Sequence, residues 1–353
     1  MRRGERAPVD GRMIEALGQA SGKVILLGEH AVVYGAPALA AGIERGARAR
    51  ATRAPEGARA SALRLGGREH GAAPAEGDVA RAFAALLEAL PGAGPVRVEA
   101  ESDLPPGGGL GSSAALGVAI ARAVAALARA QAEAGAPAAP AAPAALTAAA
   151  EVAAAAAWER VFHGNPSGID TAAAARGGCF RFTRANGATP LAPRDDLWLC
   201  VGSTGVPSST RSMVELVAKL FERKPTVAET SIAGIAALVE NAALAIEAGD
   251  AIALGRLMDL NQMLLAGMFV STEAIETLCK LAREAGALGA KLTGAGGGGS
   301  VIALLPPPPA GGAAATPNDA AGRVLAAWRD AGYSGFVTRV KAGAATAAPE
   351  EQA

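Results

Sequence analysis

Neither sign of charge predominates in this sequence, in which 33 lysines and arginines are matched by 33 aspartates and glutamates. A chain without net charge has no bulk attraction for duplex nucleic acid or an anionic membrane, so neither is expected as a partner. Cysteine is scarce. Cys179, Cys200 and Cys279 are odd in number, far apart and set among apolar residues, which argues against a disulfide framework or a metal cluster. They predict buried free thiols in a reducing, cytoplasmic setting. By inspection, charges, glycines and prolines interrupt every apolar run before it reaches ~20 residues, so no membrane span is expected. The opening Met1-Arg-Arg-Gly-Glu-Arg6 carries charge with no apolar run behind it and does not read as a signal peptide. Tryptophan is rare and alanine abundant, which reads as genomic bias rather than function.

The 353 residues are enough for two domains and a sizeable core. Residues 1–19 read as a flexible lead-in, 20–190 as an N-terminal domain, 191–342 as a C-terminal domain and 343–353 as a flexible tail. Val24–Leu27 is a short strand candidate, and 53–78 reads as short strands or a mobile loop. Helical spacing of Val79, Phe83, Leu86, Leu87 and Leu90 predicts a helix stopped by Pro91. Val96–Ser102 alternates like a half-buried strand. Helices are expected from Ser113 to about Ala134, closed by a loop holding Pro137, Pro140 and Pro143, and over Leu146–Phe162. Strands are expected at Gly178–Phe182, Leu197–Gly202 and Gly335–Val340, and as a strand–loop–strand unit over Ala290–Leu305. Two or more helices fill Ser209–Ala285. A low-complexity loop at 306–316 precedes a last helix near Ala320–Ala331. Strands and helices mix without strict alternation, which predicts an α+β fold.

The most informative segment reads Pro105-Pro106-Gly107-Gly108-Gly109-Leu110-Gly111-Ser112-Ser113. Glycines here let backbone N–H groups turn inward and approach an anion. The helix that follows aims its free N–H groups and positive end at the same spot. Ser112 and Ser113 have hydroxyls for a helix N–H, a phosphate oxygen or a metal. A nucleotide phosphate suits such a site. The spacing is neither that of a Walker loop nor that of a dinucleotide fold, so any lysine serving the phosphates comes from elsewhere.

Three further segments bear on the chemistry. In residues 21–35, Lys23 precedes an apolar strand, and Glu29-His30 follows Gly28 at its far end; alone, these read as a surface lysine and a polar turn. In residues 158–170, Glu159 stands in the last turns of a helix and Asp170 in a loop rich in proline and glycine. Such a pair could hold a metal and meet a substrate hydroxyl, or form ordinary salt bridges. In residues 291–300, Gly296–Gly299 separate two apolar strands. Four glycines in a row are costly unless a ligand or backbone comes close, although a hairpin loop reads the same way.

Taken together, these four segments resemble the GHMP kinase superfamily over most of residues 20–305, and their wording is similar to that of the mevalonate kinases. Gly28-Glu29-His30-Ala31-Val32-Val33-Tyr34-Gly35 and His163-Gly-Asn-Pro-Ser-Gly-Ile-Asp170 carry the likeness. Asn261-Gln262, Leu264-Leu265, Thr204-Gly-Val-Pro207 and Thr210-Arg211 add to it. Ala20-Ser21-Gly22-Lys23 lacks the proline usual before Gly-Lys, and Gly267–Thr272 departs from the usual wording.

The resemblance implies an N-terminal half like ribosomal protein S5 domain 2 and a ferredoxin-like C-terminal half, with ATP and Mg2+ in the cleft between. It implies phosphorylation of the 5-hydroxyl of mevalonate, a small-molecule substrate, and a homodimer. Asp170 matches the acidic residue facing that hydroxyl and Lys23 the lysine near the transferring phosphate. Pro106, Gly107, Gly108, Gly109, Leu110, Gly111, Ser112 and Ser113 match the ATP-binding loop, and Gly294, Ala295, Gly296, Gly297 and Gly298 the loop that backs it. Glu159 with Ser112 or Ser113 matches the magnesium ligands. Glu29, His30, Thr204 and Arg211 are implied to contact substrate. Phosphoryl transfer needs mainly positioning and charge neutralisation, which these groups would supply. The alternatives are a related kinase acting on phosphomevalonate, homoserine or a sugar, and a non-catalytic ligand-binding relative.

Overall fold

Two long strands, β1 (Glu15–Leu27) and β2 (Ala38–Arg53), pair antiparallel from Glu15 opposite Thr52 to Leu27 opposite Leu39. They belong to a computed structural model that describes residues 14–55, 57–90, 94–134, 147–164, 167–308 and 319–343. The far half of β2 alternates exposed Arg48 and Arg50 with buried Ala47, Ala49 and Ala51. Small residues stand on the inner face because a helix lies close against it. A Cβ on Gly18 of β1 would come within 2.1 Å of the Ala119 carbonyl oxygen on that helix.

The remaining strands of this sheet are β3 (Ala62–Leu65), β4 (Arg68–Gly71), β5 (Val96–Ser102), β6 (Cys179–Thr183) and β7 (Gly187–Leu191). Their order is β4-β3-β5-β2-β6-β7, with β1 on the other edge of β2. Four helices accompany it: α1 (Asp78–Glu88), α2 (Ser112–Glu133), α3 (Ala148–His163) and α4 (Ile169–Arg176). Helix α2 packs on β1, β2 and α3 and is buried on most sides, as an apolar helix in a protein core should be.

A second sheet holds β8 (Leu197–Ser203), β9 (Gly289–Thr293), β10 (Ser300–Leu304) and β11 (Ser334–Val340) in the order β11-β8-β10-β9, all pairs antiparallel. Numbered within the sheet this is 4-1-3-2, the ferredoxin-like order. Helices α5 (Thr210–Arg223), α6 (Pro225–Ala248), α7 (Ala251–Gly267) and α8 (Glu273–Glu284) join β8 to β9, and α9 (Asp319–Asp330) joins β10 to β11. The two halves meet where β11 lies against β2 and where α6, α7 and β9 lie against β1.

Several expectations need correction. Residues 15–19 belong to β1 and are not a lead-in; their alternation is short of large apolar residues, and pairing with β2 supplies what it lacks. Asp170 sits in the first turn of α4, not in a loop. Gly164 and Gly168 punctuate the sequence just before that helix and disguise its start. Helices α2 and α6 are each long and apolar enough to cross a membrane, contrary to the inspection of apolar runs. Helix α2 spends that character in the core. The three cysteines are free and buried, as expected. The loop with Pro137, Pro140 and Pro143, residues 309–316 of the low-complexity loop and residues 344–353 of the tail lie outside the described residues, as do 1–13.

Candidate active site

The glycine-rich loop is tied to both halves of the molecule. Lys23 N–H donates to the Leu110 carbonyl at 2.8 Å, which fixes the loop to β1, and Ser208 N–H donates to the Gly107 carbonyl at 3.1 Å, which fixes it to the segment before α5. Gly107, Gly109 and Gly111 have φ of 68°, 73° and 72°, a region that L side chains enter at a cost. Space adds a second constraint. A Cβ on Gly109 would lie 3.3 Å from the Thr293 carbonyl oxygen, and one on Gly294 would lie 3.3 Å from the Gly109 carbonyl oxygen. The loop that begins at Gly294 therefore rests directly on the first loop. Pro106 stands exposed at the loop's rim, and Leu110 is buried beneath it.

Helix α2 starts at Ser112 behind Gly111, so its first N–H groups lack intrahelical partners at the loop. The two serines face different ways. Ser112 Oγ stands 3.1 Å from Ser102 Oγ, whereas Ser113 Oγ donates to Glu159 Oε1 and accepts from Trp158 Nε1 at 3.2 Å. Burial raises the Glu159 carboxyl above its ordinary value, the Ser113 hydroxyl works against that shift, and the neighbouring charge of Asp170 adds to it. His163 Nε2 lies 3.8 Å from Glu159 Oε2.

Lys23 Nζ and Asp170 Oδ1 form an ion pair at 3.0 Å, the lysine 5% and the aspartate 38% exposed. The carboxylate is in the first turn of α4, where the helix dipole favours negative charge. Lys23, Glu159, His163, Asp170, Gly109, Gly294 and Ala295 line one cavity of about 590 Å³, together with Arg184 and Arg211. Glu159, Ser113 and Asp170 offer hard oxygen donors of the type magnesium prefers. Among the described residues no group of three or more His, Cys, Asp or Glu side chains is arranged to hold a metal, so a metal here would lean on the serine and on phosphate oxygens.

Of the residues expected to contact substrate, Arg211 lines the cavity. Glu29 and His30 line it as well, with their polar ends turned toward partners in the protein. The Glu29 carboxylate is fully buried against Lys291 of β9 and accepts from Asn261 Nδ2 at 3.4 Å. The buried His30, with φ of 60°, donates from Nε2 to the Ala295 carbonyl at 2.8 Å. Thr204 does not line the cavity. Its hydroxyl is held 2.9 Å from the Gly299 carbonyl and 3.2 Å from that of Val206, so it braces the glycine loop from outside. The sequence alone did not single out Lys291 or Arg184 as site residues, and His163 entered only as the first residue of a motif. A lysine inside an apolar strand candidate was the available signal for Lys291; the exposed hairpin position of Arg184 gave none.

Comparison with known proteins agrees with this geometry. The profile of the GHMP kinases N terminal domain matches residues 78–178 and that of the GHMP kinases C terminal matches 242–334. Mevalonate kinase of Aeropyrum pernix is 38% identical over 293 residues, spanning 80% of this chain and 86% of that protein. The Pyrococcus horikoshii mevalonate kinase is 35% identical over 302 residues, spanning 79% and 85%. Among solved structures, L. major mevalonate kinase in complex with R-mevalonate superposes with a TM-score of 0.76 at 27% identity, covering 94% of this chain and 97% of that one. Lactococcus lactis galactokinase complexed with galactose shares the fold, with a TM-score of 0.70 at 18% identity over 93% and 94%. The chain belongs to the GHMP kinases, and within them to the mevalonate kinase family.

Proposed function

We propose that the protein transfers the γ-phosphate of ATP to the 5-hydroxyl of mevalonate, giving 5-phosphomevalonate and ADP. The observation that carries this reading is the Lys23–Asp170 ion pair, set in one cavity beside both glycine loops and Glu159. Pro106 to Ser113 cradle the phosphates with backbone N–H groups and the first turn of α2, and Gly294 to Gly298 back that loop. Lys23 meets the transferring phosphoryl group. Asp170 orients the acceptor hydroxyl and takes its proton late, as a loose transition state allows. Glu159 and Ser113 would hold Mg2+, with Ser112 facing Ser102 instead. When bound, that ion neutralises charge on the phosphates.

The carboxylate of mevalonate needs a cation away from the reacting end. Arg211 from α5 and Arg184 from the β6–β7 turn line the cavity, and neither has a hydrogen-bond or ion-pair partner among the described residues. Two free guanidinium groups suit a carboxylate well.

The test is ADP release by purified protein with ATP and magnesium, offered mevalonate, phosphomevalonate, homoserine or galactose. Turnover with mevalonate alone supports the reading. Turnover with another acceptor keeps phosphoryl transfer and overturns the substrate. Silence with all four, despite ATP binding, favours a ligand-binding relative.

A further inference from the structure

We infer that Lys291 is a positioning residue whose buried ion pair with Glu29 neutralises that carboxylate and so leaves Lys23 free for Asp170; the inference rests on the phosphoryl-transfer reading of the site. The pair crosses between the two halves of the molecule. Glu29 follows the end of β1 and Lys291 is in the middle of β9, 262 positions later, with both side chains 0% exposed. Other bonds between the same segments flank it. Ile25 N–H donates to Thr293 Oγ1 at 2.8 Å, Thr293 Oγ1 returns to the Ile25 carbonyl at 3.2 Å, and His30 reaches Ala295. Lys23 is two residues before Ile25 on the same strand, itself nearly buried.

Three charges therefore share a region of low polarity: Lys23, Glu29 and Lys291. Burial pushes the Glu29 carboxyl up, and Lys291 first, then Lys23, work against that. Burial pushes the Lys291 ammonium down, Glu29 opposes the shift, and Lys23 adds to it by repulsion. Lys23 thus feels an attraction to Glu29 and a repulsion from Lys291 that offset one another. Without Lys291, Glu29 becomes an uncompensated anion competing with Asp170 for the same ammonium.

The titratable surroundings are few. Lys291 reaches Glu29 from β9, Lys23 from β1, and His30 stands beside it in the chain. Cys279 of α8 lies behind Lys291, its thiol pushed up to about 12 by burial. Lys23 faces Asp170 of α4 and, beyond it, Glu159 of α3 with His163. Stability is not what such a pair characteristically provides, since buried ion pairs are often replaceable by apolar residues. Removal of one partner is what does damage.

The test compares kcat for mevalonate phosphorylation between pH 6 and 9 in the parent, Lys291→Met, Lys291→Arg and the double variant Glu29→Gln/Lys291→Met. In Lys291→Met, Glu29 is harmless when protonated and competes when ionised. Its kcat is expected to fall as pH rises, by about tenfold per pH unit over part of that range, the slope of one titrating group. Lys291→Arg is expected to follow the parent profile, and the double variant to lose the added fall with pH whatever its absolute rate. A Lys291→Met profile parallel to the parent's, with only a lower Tm, overturns the proposal. If Lys291→Met does not fold, the double variant decides: a kcat–pH profile parallel to the parent's in folded protein supports the proposal, and one that falls by about tenfold per unit as pH rises overturns it. A crystal structure of Lys291→Met at pH 9 gives a readout independent of turnover. Lys23 Nζ is expected to have left its contact with Asp170, and an unchanged contact contradicts the account. Parent inactivity toward mevalonate would instead fault the functional reading, leaving the crystallographic comparison to judge Lys291.

Discussion

Lys23 and Asp170 come from opposite ends of the N-terminal half, one from β1 and one from α4, and meet at 3.0 Å beside the phosphate loop. The lysine is nearly buried while the aspartate keeps a face open to the cavity, so the carboxylate is the partner that can greet a substrate. Asp170→Asn should lower kcat by about 10²–10⁴-fold, the usual contribution of a group that handles the proton. Steady-state kinetics check this, with circular dichroism to show that the fold is kept. Near-normal turnover would remove Asp170 from the mechanism.

Gly294 and Gly109 hold the two loops in backbone contact. Gly294→Ala adds a Cβ 3.3 Å from the Gly109 carbonyl at a residue with φ of 92°, a conformation that costs a non-glycine residue about 1–3 kcal/mol. The expected outcome is a Tm drop of several degrees together with a raised KM for ATP. Thermal melts and ATP titration measure both. A lower Tm with unchanged KM for ATP would mean that the second loop does not shape the phosphate site.

Much of this arrangement was legible in the sequence, and the gaps have physical causes. The strand Val96–Ser102 was readable from its alternation, α1 from the helical spacing of large apolar residues, and the helix behind Ser112 from its run of alanines. Lys23, Ser113, Glu159 and Asp170 could be singled out from their wording; folding brings Lys23, Glu159 and Asp170 into one cavity and bonds Ser113 to Glu159. Residues 38–53 gave no strand signal because the buried positions of β2 are mostly alanine and glycine, selected by the closeness of α2 and not by β propensity. The first turn of α4 was hidden by the glycines before it. The Glu29–Lys291 pair joins residues that no local pattern links. Glu29 lines the cavity, but its ion pair depends on a partner in the other half that its own segment does not announce.

Burial lowers the His30 imidazole below its ordinary 6.5, against a smaller opposing effect of its bond to Ala295. The unfolded chain then binds a proton near pH 6.5 that the folded protein resists. Stability from this group is complete above about pH 7 and is lost as pH falls below 6.5, by at most about 1.4 kcal/mol per pH unit. Urea unfolding of the parent and His30→Gln from pH 8 to 5 should show a steeper loss in the parent. Parallel curves would contradict the assignment.

Cys179, Cys200 and Cys279 are buried, with thiols pushed up to about 12 by desolvation. Little thiolate is present near neutral pH, and little of it is accessible. A chromogenic disulfide reagent should label none of them in the native protein and all three in denaturant. Fast native labelling of any one would show that its packing is looser than described.

The central claim is that this cavity moves phosphate onto one particular oxygen. The most direct measurement is 31P and 13C NMR of the product formed from ATP and mevalonate labelled at C5. The account predicts one new phosphomonoester signal coupled to the C5 methylene, at one equivalent per ADP formed. A phosphoryl group on the 3-oxygen, or ADP and inorganic phosphate with no phosphomonoester, would contradict it.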